Sequence, residues 1–374
     1  MGVIIMAFDE KIKNRFGFGC MRLKMNGDAV DYEEFNKMID TFMSAGFNYF
    51  DTAHGYIDGK SEKAIRDCLV ARYNREDFVL ANKFSEWFVK EESEVLPLFE
   101  SQLEICGVDY FDVYFVHSVT KGSYEKYKAV NAFGILEKLK KEGRIKHIAM
   151  SFHDNADVLD MILSEQKSIE VVQLQINYLD FDDPGIQSKK CYDVAVKHGK
   201  KVIVMEPVKG GTLANLPERA AKVFDELGGN KSYASYAIRY AASYPEVIMV
   251  LSGMGSIEMM NDNLSTMLDF KPLDEKELEA TDKVREIIRE INQIPCTSCN
   301  YCADVCGMSI KISEIFNAYN GFVSARTTRA EAKERMPREG GTAADCIGCG
   351  RCESVCPQGI EIRDKLAVIA KRIK

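Results

Sequence analysis

The sequence predicts an α/β chain, a (β/α)8 barrel followed by a small, mainly α-helical domain. Three observations carry that expectation. Short β-branched or apolar runs alternate with amphipathic stretches eight times over residues 1–270, the pattern of a parallel barrel. Eight of the 12 cysteines then crowd into residues 296–374, in two runs of identical spacing. The length of 374 residues suits one barrel of about 250 residues plus a small domain.

Taken in order, the strand candidates are residues 16–21, 49–52, 78–83, 111–116, 145–151, 171–175, 201–206 and 247–252. Helical patterns lie between them at 33–45, 62–72, 94–106, 133–141, 156–164, 186–197, 217–227 with 232–243, and 257–267. Lys140 and Lys141 close one of these just before Gly143, a favourable charge and stop for a helix C-terminus. Pro272 marks a boundary, followed by a highly charged helix over 274–292 and by Pro295, which abuts the first cysteine run. The expected organisation is a barrel over 1–270, a helical linker over 271–295 and a cysteine-rich domain over 296–374. The 39 residues between the cysteine runs carry helical patterns at 308–319 and 330–336, which favours a mainly helical tail. The duplicated cysteine run is the one internal repeat.

Composition excludes several classes. Apolar residues make up 46% of the chain, ample for a large core and too rich for disorder. Acids outnumber bases 57 to 49, giving a net charge of −8, which argues against nucleic-acid binding by bulk phosphate neutralisation. No apolar run approaches the roughly 18 residues of a membrane span. Residues 1–10 have an apolar stretch without a basic n-region, so no signal peptide is expected, and Met6 stands where a myristoylation motif needs Ser or Thr. A cytoplasmic protein is expected. Residues 297–374 carry 12 bases against 9 acids, a local excess that balances bound anionic clusters or attracts an acidic electron-transfer partner.

Cysteines in a chain with no export signal are thiols or metal ligands. Cys20, Cys68, Cys106 and Cys191 are scattered and read as small apolar packing residues. The other eight form Cys296-x2-Cys299-x2-Cys302-x3-Cys306 and Cys346-x2-Cys349-x2-Cys352-x3-Cys356. This is the ligand run of a bacterial ferredoxin, in which the fourth Cys of each run serves the other cluster. Two [4Fe–4S] clusters are therefore expected, the first on Cys296, Cys299, Cys302 and Cys356, the second on Cys346, Cys349, Cys352 and Cys306. Zinc needs only two Cys-x2-Cys pairs and leaves the third cysteine of each run unexplained. Gly307 replaces the proline that usually follows the fourth Cys, whereas Pro357 is present after the second run.

Barrel chemistry sits at the C-terminal ends of the strands. Strand two ends in Asp51 with Tyr56 in the following loop, strand three in Lys83 and strand four in His117. A carbonyl that receives hydride becomes an alkoxide and needs a proton. Tyr, with a pKa near 10, is a poor acid at neutral pH unless an ammonium such as Lys83 stabilises its phenolate. Asp51 would hold Lys83 charged and placed, and His117 would orient the substrate oxygen. A positioned acid of this kind is worth roughly 10²–10⁴ in rate. Gly17-x-Gly19 and Gly253-x-Gly255 lack the third glycine and the βαβ context of a dinucleotide fingerprint, and no Walker motif is present.

This order of Asp, Tyr, Lys and His, with the FDTAHGY segment, resembles the aldo-keto reductases over roughly residues 14–270, and the whole chain resembles the branch of that family bearing a ferredoxin-like tail with two clusters. The resemblance implies an oxidoreductase that reduces a small-molecule carbonyl with NADPH or NADH, or runs in reverse on an alcohol, with Tyr56 as general acid and base. It implies that Ser151 and Gln173 bind the nicotinamide carboxamide, that Met205 covers the ring, that Gly210 and Gly211 approach the pyrophosphate, and that Ser256 and Asn263 meet the adenosine end. Phe152 and Met205 depart from the family's usual Asn and aromatic residue, and Met259 and Met260 stand where a base often grips the 2′-phosphate. Hydride moves two electrons and a [4Fe–4S] cluster one, so a flavin at the strand ends is an alternative mediator. The competing reading is a ferredoxin-type electron-transfer protein whose barrel binds a redox partner, a flavin or another ligand without reducing carbonyls.

Overall fold

The computed structural model describes residues 11–229, 231–291 and 293–373, so the expectation for the N-terminal stretch lies outside the described residues. Eight parallel strands close into a barrel: β1 (Phe16–Gly19), β2 (Tyr49–Asp51), β3 (Val79–Phe84), β4 (Phe111–Val119), β5 (Ile145–Phe152), β6 (Val171–Gln175), β7 (Lys201–Met205) and β8 (Val247–Gly253). Each strand pairs with its sequence neighbours and β1 closes on β8, the (β/α)8 arrangement. The strands read as continuous apolar runs because both faces are covered.

The barrel interior is packed by one side-chain cluster that includes Tyr49, Val79, Val113, Phe115, Val171, Ile203, Met249 and Leu251. Gly17 belongs to this interior: a methyl group there would come within 2.5 Å of Leu251 and 2.9 Å of Tyr49. Its glycine is a packing requirement, which accounts for the fingerprint-like Gly17-x-Gly19.

Helices follow the strands close to their expected places, among them Tyr32–Ser44, Val95–Cys106, Ala156–Glu165 and Ile257–Leu268. The helix begun at Lys60–Ile65 runs on as a π-helical turn, Arg66–Val70. A helix at Lys121–Ala129 and a two-stranded hairpin, Met25–Asn26 with Ala29–Val30, add to the expected elements.

By contacts the chain divides into two compact units. The first runs to Pro207 and resumes at Ile238–Pro272, and the second holds Val208–Ala237 together with Leu273 onward. The second unit is helical, with Glu218–Asp225 packed on Glu275–Ile291 and with Ile312–Val323 and Ile362–Arg372 around a small core. That core gathers Ile310, Ile312, Phe316, Ile360, Ile362 and Leu366 with Cys302 and Cys352, and Cys296, Cys306, Cys346 and Cys356 pack against it. Among the described residues no helix is long and apolar enough to cross a membrane.

Candidate active site and cluster sites

The first unit brings the four strand-end residues together. Asp51, Lys83 and His117 are each under 5% exposed, and Tyr56 is half-buried above them. Lys83 Nζ lies 2.5 Å from Asp51 Oδ1, donates to the Thr52 carbonyl at 2.8 Å and stands 4.8 Å from the centre of the Tyr56 ring. The Tyr56 and His117 rings meet edge to face at 6.0 Å. Burial pushes the Asp51 carboxyl up, opposed by Lys83, and pushes the Lys83 ammonium down, opposed by Asp51. Burial, then the Lys83 charge and His153, hold His117 well below the usual imidazole range, so it is neutral at pH 7.

A second ring of residues fixes this set, and sequence reasoning missed it. Ser85 Oγ lies 2.7 Å from His117 Nδ1. Two residues beyond Lys83 at the end of one strand, Ser85 was findable from the period of two. Asn82 Oδ1 accepts the Lys83 backbone N–H at 2.8 Å, and Gln102 Nε2 donates to the Lys83 carbonyl at 3.0 Å. Glu62, fully buried, accepts from Asn82 at 2.7 Å and Gln102 at 3.2 Å and lies 2.8 Å from His54 Nδ1. Glu62 in turn raises the His54 pKa. These partners come from distant elements and carry no local signal.

Trp87 packs on His117 with ring centres 5.2 Å apart and is 46% exposed, with Phe88 beside it at 41%. Together they form an aromatic edge beside the tetrad.

The residues expected to bind a nicotinamide cofactor fall in two groups. Ser151 and Gln173 are buried and in register on β5 and β6, and Ser151 Oγ accepts the Ser118 N–H at 2.7 Å. Met205 ends β7. Ser256 caps the helix Ile257–Leu268, accepting the Met259 N–H, and buried Asn263 donates to Ser252 Oγ at 2.8 Å. Met259 is 55% exposed and Met260 buried, and the first N–H of that helix, on Ile257, donates to Glu34 Oε1 at 2.8 Å. Gly210 and Gly211 belong to the second unit, and both have positive φ. A side chain on Gly210 would come within 2.6 Å of the Thr297 backbone, so its missing side chain serves a contact inside that unit.

The cysteines meet around two hollows in the second unit. One is lined by Cys296, Cys299, Cys302 and Cys356, the other by Cys306, Cys346, Cys349 and Cys352. The fourth Cys of each run crosses to the other set, as a two-cluster ferredoxin requires. Burial, and then the neighbouring Cys299, Cys296 and Cys356 charges, push the Cys302 thiol far up. Among the described residues no three His, Cys, Asp or Glu side chains are gathered tightly enough for a single ion. Each hollow gathers four thiols, a donor set that fits a [4Fe–4S] cubane.

Comparison with known proteins agrees. The model of the aldo/keto reductase family matches residues 15–286, and that of the 4Fe-4S dicluster domain matches residues 295–360. The "Uncharacterized oxidoreductase YqkF" of Bacillus subtilis is 24% identical over 297 residues, covering 71% of this chain and 90% of its own. L-Galactose dehydrogenase of Arabidopsis thaliana is 23% identical over 298 residues, covering 74% of this chain and 91% of its own. An aldo-keto reductase of Klebsiella pneumoniae, solved with NADPH, superposes with a TM-score of 0.59 at 19% identity, over 72% of this chain and 90% of that one. A flavin finds no support among these relatives.

Proposed function

The chain belongs to the aldo/keto reductase family, and from that premise we propose that it reduces a small-molecule carbonyl with NADPH or NADH, or oxidises the alcohol in reverse, with Tyr56 as general acid and base. It is an oxidoreductase whose C-terminal part is a 4Fe-4S dicluster domain. The observation that carries the reading is the buried Lys83–Asp51 pair beneath the Tyr56 ring, 4.8 Å from Lys83 Nζ.

A bound nicotinamide supplies the hydride. Tyr56 gives its phenolic proton to the carbonyl oxygen as negative charge builds there. Lys83 stabilises the phenolate left behind, and Asp51 and the Thr52 carbonyl hold Lys83 in place. His117 is neutral. When Ser85 donates to its Nδ1, Nε2 carries the imidazole proton and hydrogen-bonds the substrate oxygen. Trp87 and Phe88 offer an apolar edge to the substrate. We assign the carboxamide to Ser151 and Gln173, the exposed face of the ring to Met205, and the adenosine end to Ser256 and Asn263. Ser151 Oγ already accepts one N–H, which leaves its hydroxyl hydrogen to donate.

Tyr56→Phe tests the reading. It keeps the ring and loses the proton, so turnover should fall by roughly 10²–10⁴ while nicotinamide affinity persists. Turnover at the parent rate in this variant would remove Tyr56 from the mechanism.

A further inference from the structure

Strand β2 ends at Asp51, opposite Ala81 on β3. The Thr52 N–H still reaches the Ala81 carbonyl at 3.0 Å, and the chain then turns away into the loop that carries Tyr56. Alternate residues of a strand present their N–H and C=O groups to the same edge. The Lys83 N–H and carbonyl, two residues past Ala81, face the side that β2 has left. Side chains take the place of the missing strand. Asn82 Oδ1 accepts the Lys83 N–H at 2.8 Å, and Gln102 Nε2, from the helix Val95–Cys106, donates to the Lys83 carbonyl at 3.0 Å.

Glu62 orients both amides. Its side chain is fully buried, and its Oε1 accepts from Asn82 Nδ2 at 2.7 Å and from Gln102 Nε2 at 3.2 Å. An ionised carboxylate only accepts, so it selects the NH2 end of each amide and leaves the Asn82 oxygen for Lys83. The other carboxylate oxygen serves the other arm of the site. Oε2 lies 2.8 Å from His54 Nδ1, and His54 stands two residues before Tyr56. Ser61, next to Glu62, closes the same loop. Its N–H donates to the Tyr56 carbonyl at 3.2 Å, and its Oγ donates to the Cys20 carbonyl at 2.8 Å and lies 2.7 Å from Thr52 Oγ1. A buried carboxylate is costly unless its oxygens are matched. Here the matching groups belong to both arms at once.

We propose that Glu62 is a positioning residue for the proton-donor pair: one carboxylate ties the loop of Tyr56, through His54, to the strand of Lys83, through Asn82 and Gln102, and so sets the 4.8 Å between the Tyr56 ring and Lys83 Nζ. The effect is geometric, and a misplacement of about 1 Å can cost roughly 10²-fold in rate. The proposal rests on the reading of Tyr56 as general acid.

The test is a double-mutant cycle of Glu62→Leu with Tyr56→Phe, on full-length protein prepared anaerobically and read by steady-state carbonyl reduction. Glu62→Leu should lower kcat by roughly 10–10²-fold and keep KM for the carbonyl and for the nicotinamide within about twofold. In Tyr56→Phe there is no phenolic proton to place, so adding Glu62→Leu should cost no more than about twofold further. A residue that merely supports the fold would lower both backgrounds alike. Equal losses in the two backgrounds, or a kcat that Glu62→Leu leaves unchanged, would overturn the role of Glu62 alone. If Glu62→Leu fails to fold, His54→Phe cuts the link to the loop at a partly exposed side chain and should show the same loss and the same non-additivity. An unchanged kcat in that variant would overturn the proposal. Tyr56→Phe turning over at the parent rate would overturn the general-acid reading, and the proposal with it.

Discussion

Lys83→Met isolates the pair at the centre of the site. Asp51 is 3% exposed, its Oδ1 lies 2.5 Å from Lys83 Nζ, and its Oδ2 is buried without a hydrogen-bond partner. Removing Lys83 leaves an uncompensated buried carboxylate, a loss of about 3–5 kcal/mol. Adding Asp51→Asn removes the stranded charge and should return the double variant to within about 1–2 kcal/mol of the parent, because a buried ion pair replaced as a whole is often nearly neutral. Turnover should not return: both variants lack the ammonium that supports the Tyr56 phenolate, and both should be slower by roughly 10²–10⁴. The pH dependence has a defined sign. Burial raises the Asp51 pKa, and without Lys83 nothing opposes that rise. A raised carboxyl contributes stability below its unfolded pKa and loses it as pH rises through the folded value. The deficit of Lys83→Met should therefore be large at neutral pH and shrink on acidification. Anaerobic urea unfolding followed by Trp87, the single tryptophan and a neighbour of His117, reads the stability, and steady-state carbonyl reduction reads the activity. A Lys83→Met protein as stable as the parent, or a double variant that regains turnover, would refute the argument.

Three further outcomes follow from the same geometry. Cys306→Ser should lose half the bound iron, Cys306→Ser with Cys346→Ser no more than that, and Cys306→Ser with Cys299→Ser all of it, because Cys306 lines the hollow of the second run; full loss in the Cys306/Cys346 pair would contradict the crossed ligation. Burial lowers the His153 pKa to about 4, so the unfolded chain takes up a proton below pH ~6.5 that the folded one refuses, and stability falls from pH 6.5 toward 4. His54, raised by Glu62, acts in the opposite sense, so the measurement is the difference between parent and His153→Gln: the urea midpoint should drop less in the variant between pH 7 and 5, and an equal drop would count against the assignment. Glu34→Gln should raise the preference for NADPH over NADH several-fold, about 1 kcal/mol, because the Glu34 carboxylate holds the first N–H of the helix assigned to the adenosine end; an unchanged ratio of kcat/KM would place the 2′-phosphate elsewhere.

Much of the architecture was legible. The eight strands are β-branched or apolar runs, largely buried, and each was found within three residues of its ends. The gathering of Asp51, Tyr56, Lys83 and His117 was legible because they stand at strand ends, which a closed barrel brings together, and the grouping of the cysteines because their spacing is local. The helix Lys121–Ala129 escaped because it buries only Tyr124 and Tyr127 on an otherwise polar stretch, too little for a helical period. Glu62, Asn82 and Gln102 escaped because they act through partners that the fold alone brings near. Gly17-x-Gly19 begins like a dinucleotide fingerprint, and Gly17 is glycine for a steric reason that depends on Leu251, far away in the chain.

Isotope transfer tests the central claim most directly. The intact protein, kept anaerobic, is given NADPH or NADH deuterated at the transferring C4 position together with aldehydes and ketones, and the alcohols are analysed by mass spectrometry. Direct hydride transfer at the Tyr56 site predicts deuterium on the former carbonyl carbon and none from solvent. Alcohol that carries solvent hydrogen at that carbon, or bleached clusters with no alcohol formed, would mean that electrons leave the nicotinamide by another path and that the barrel does not work as a carbonyl reductase.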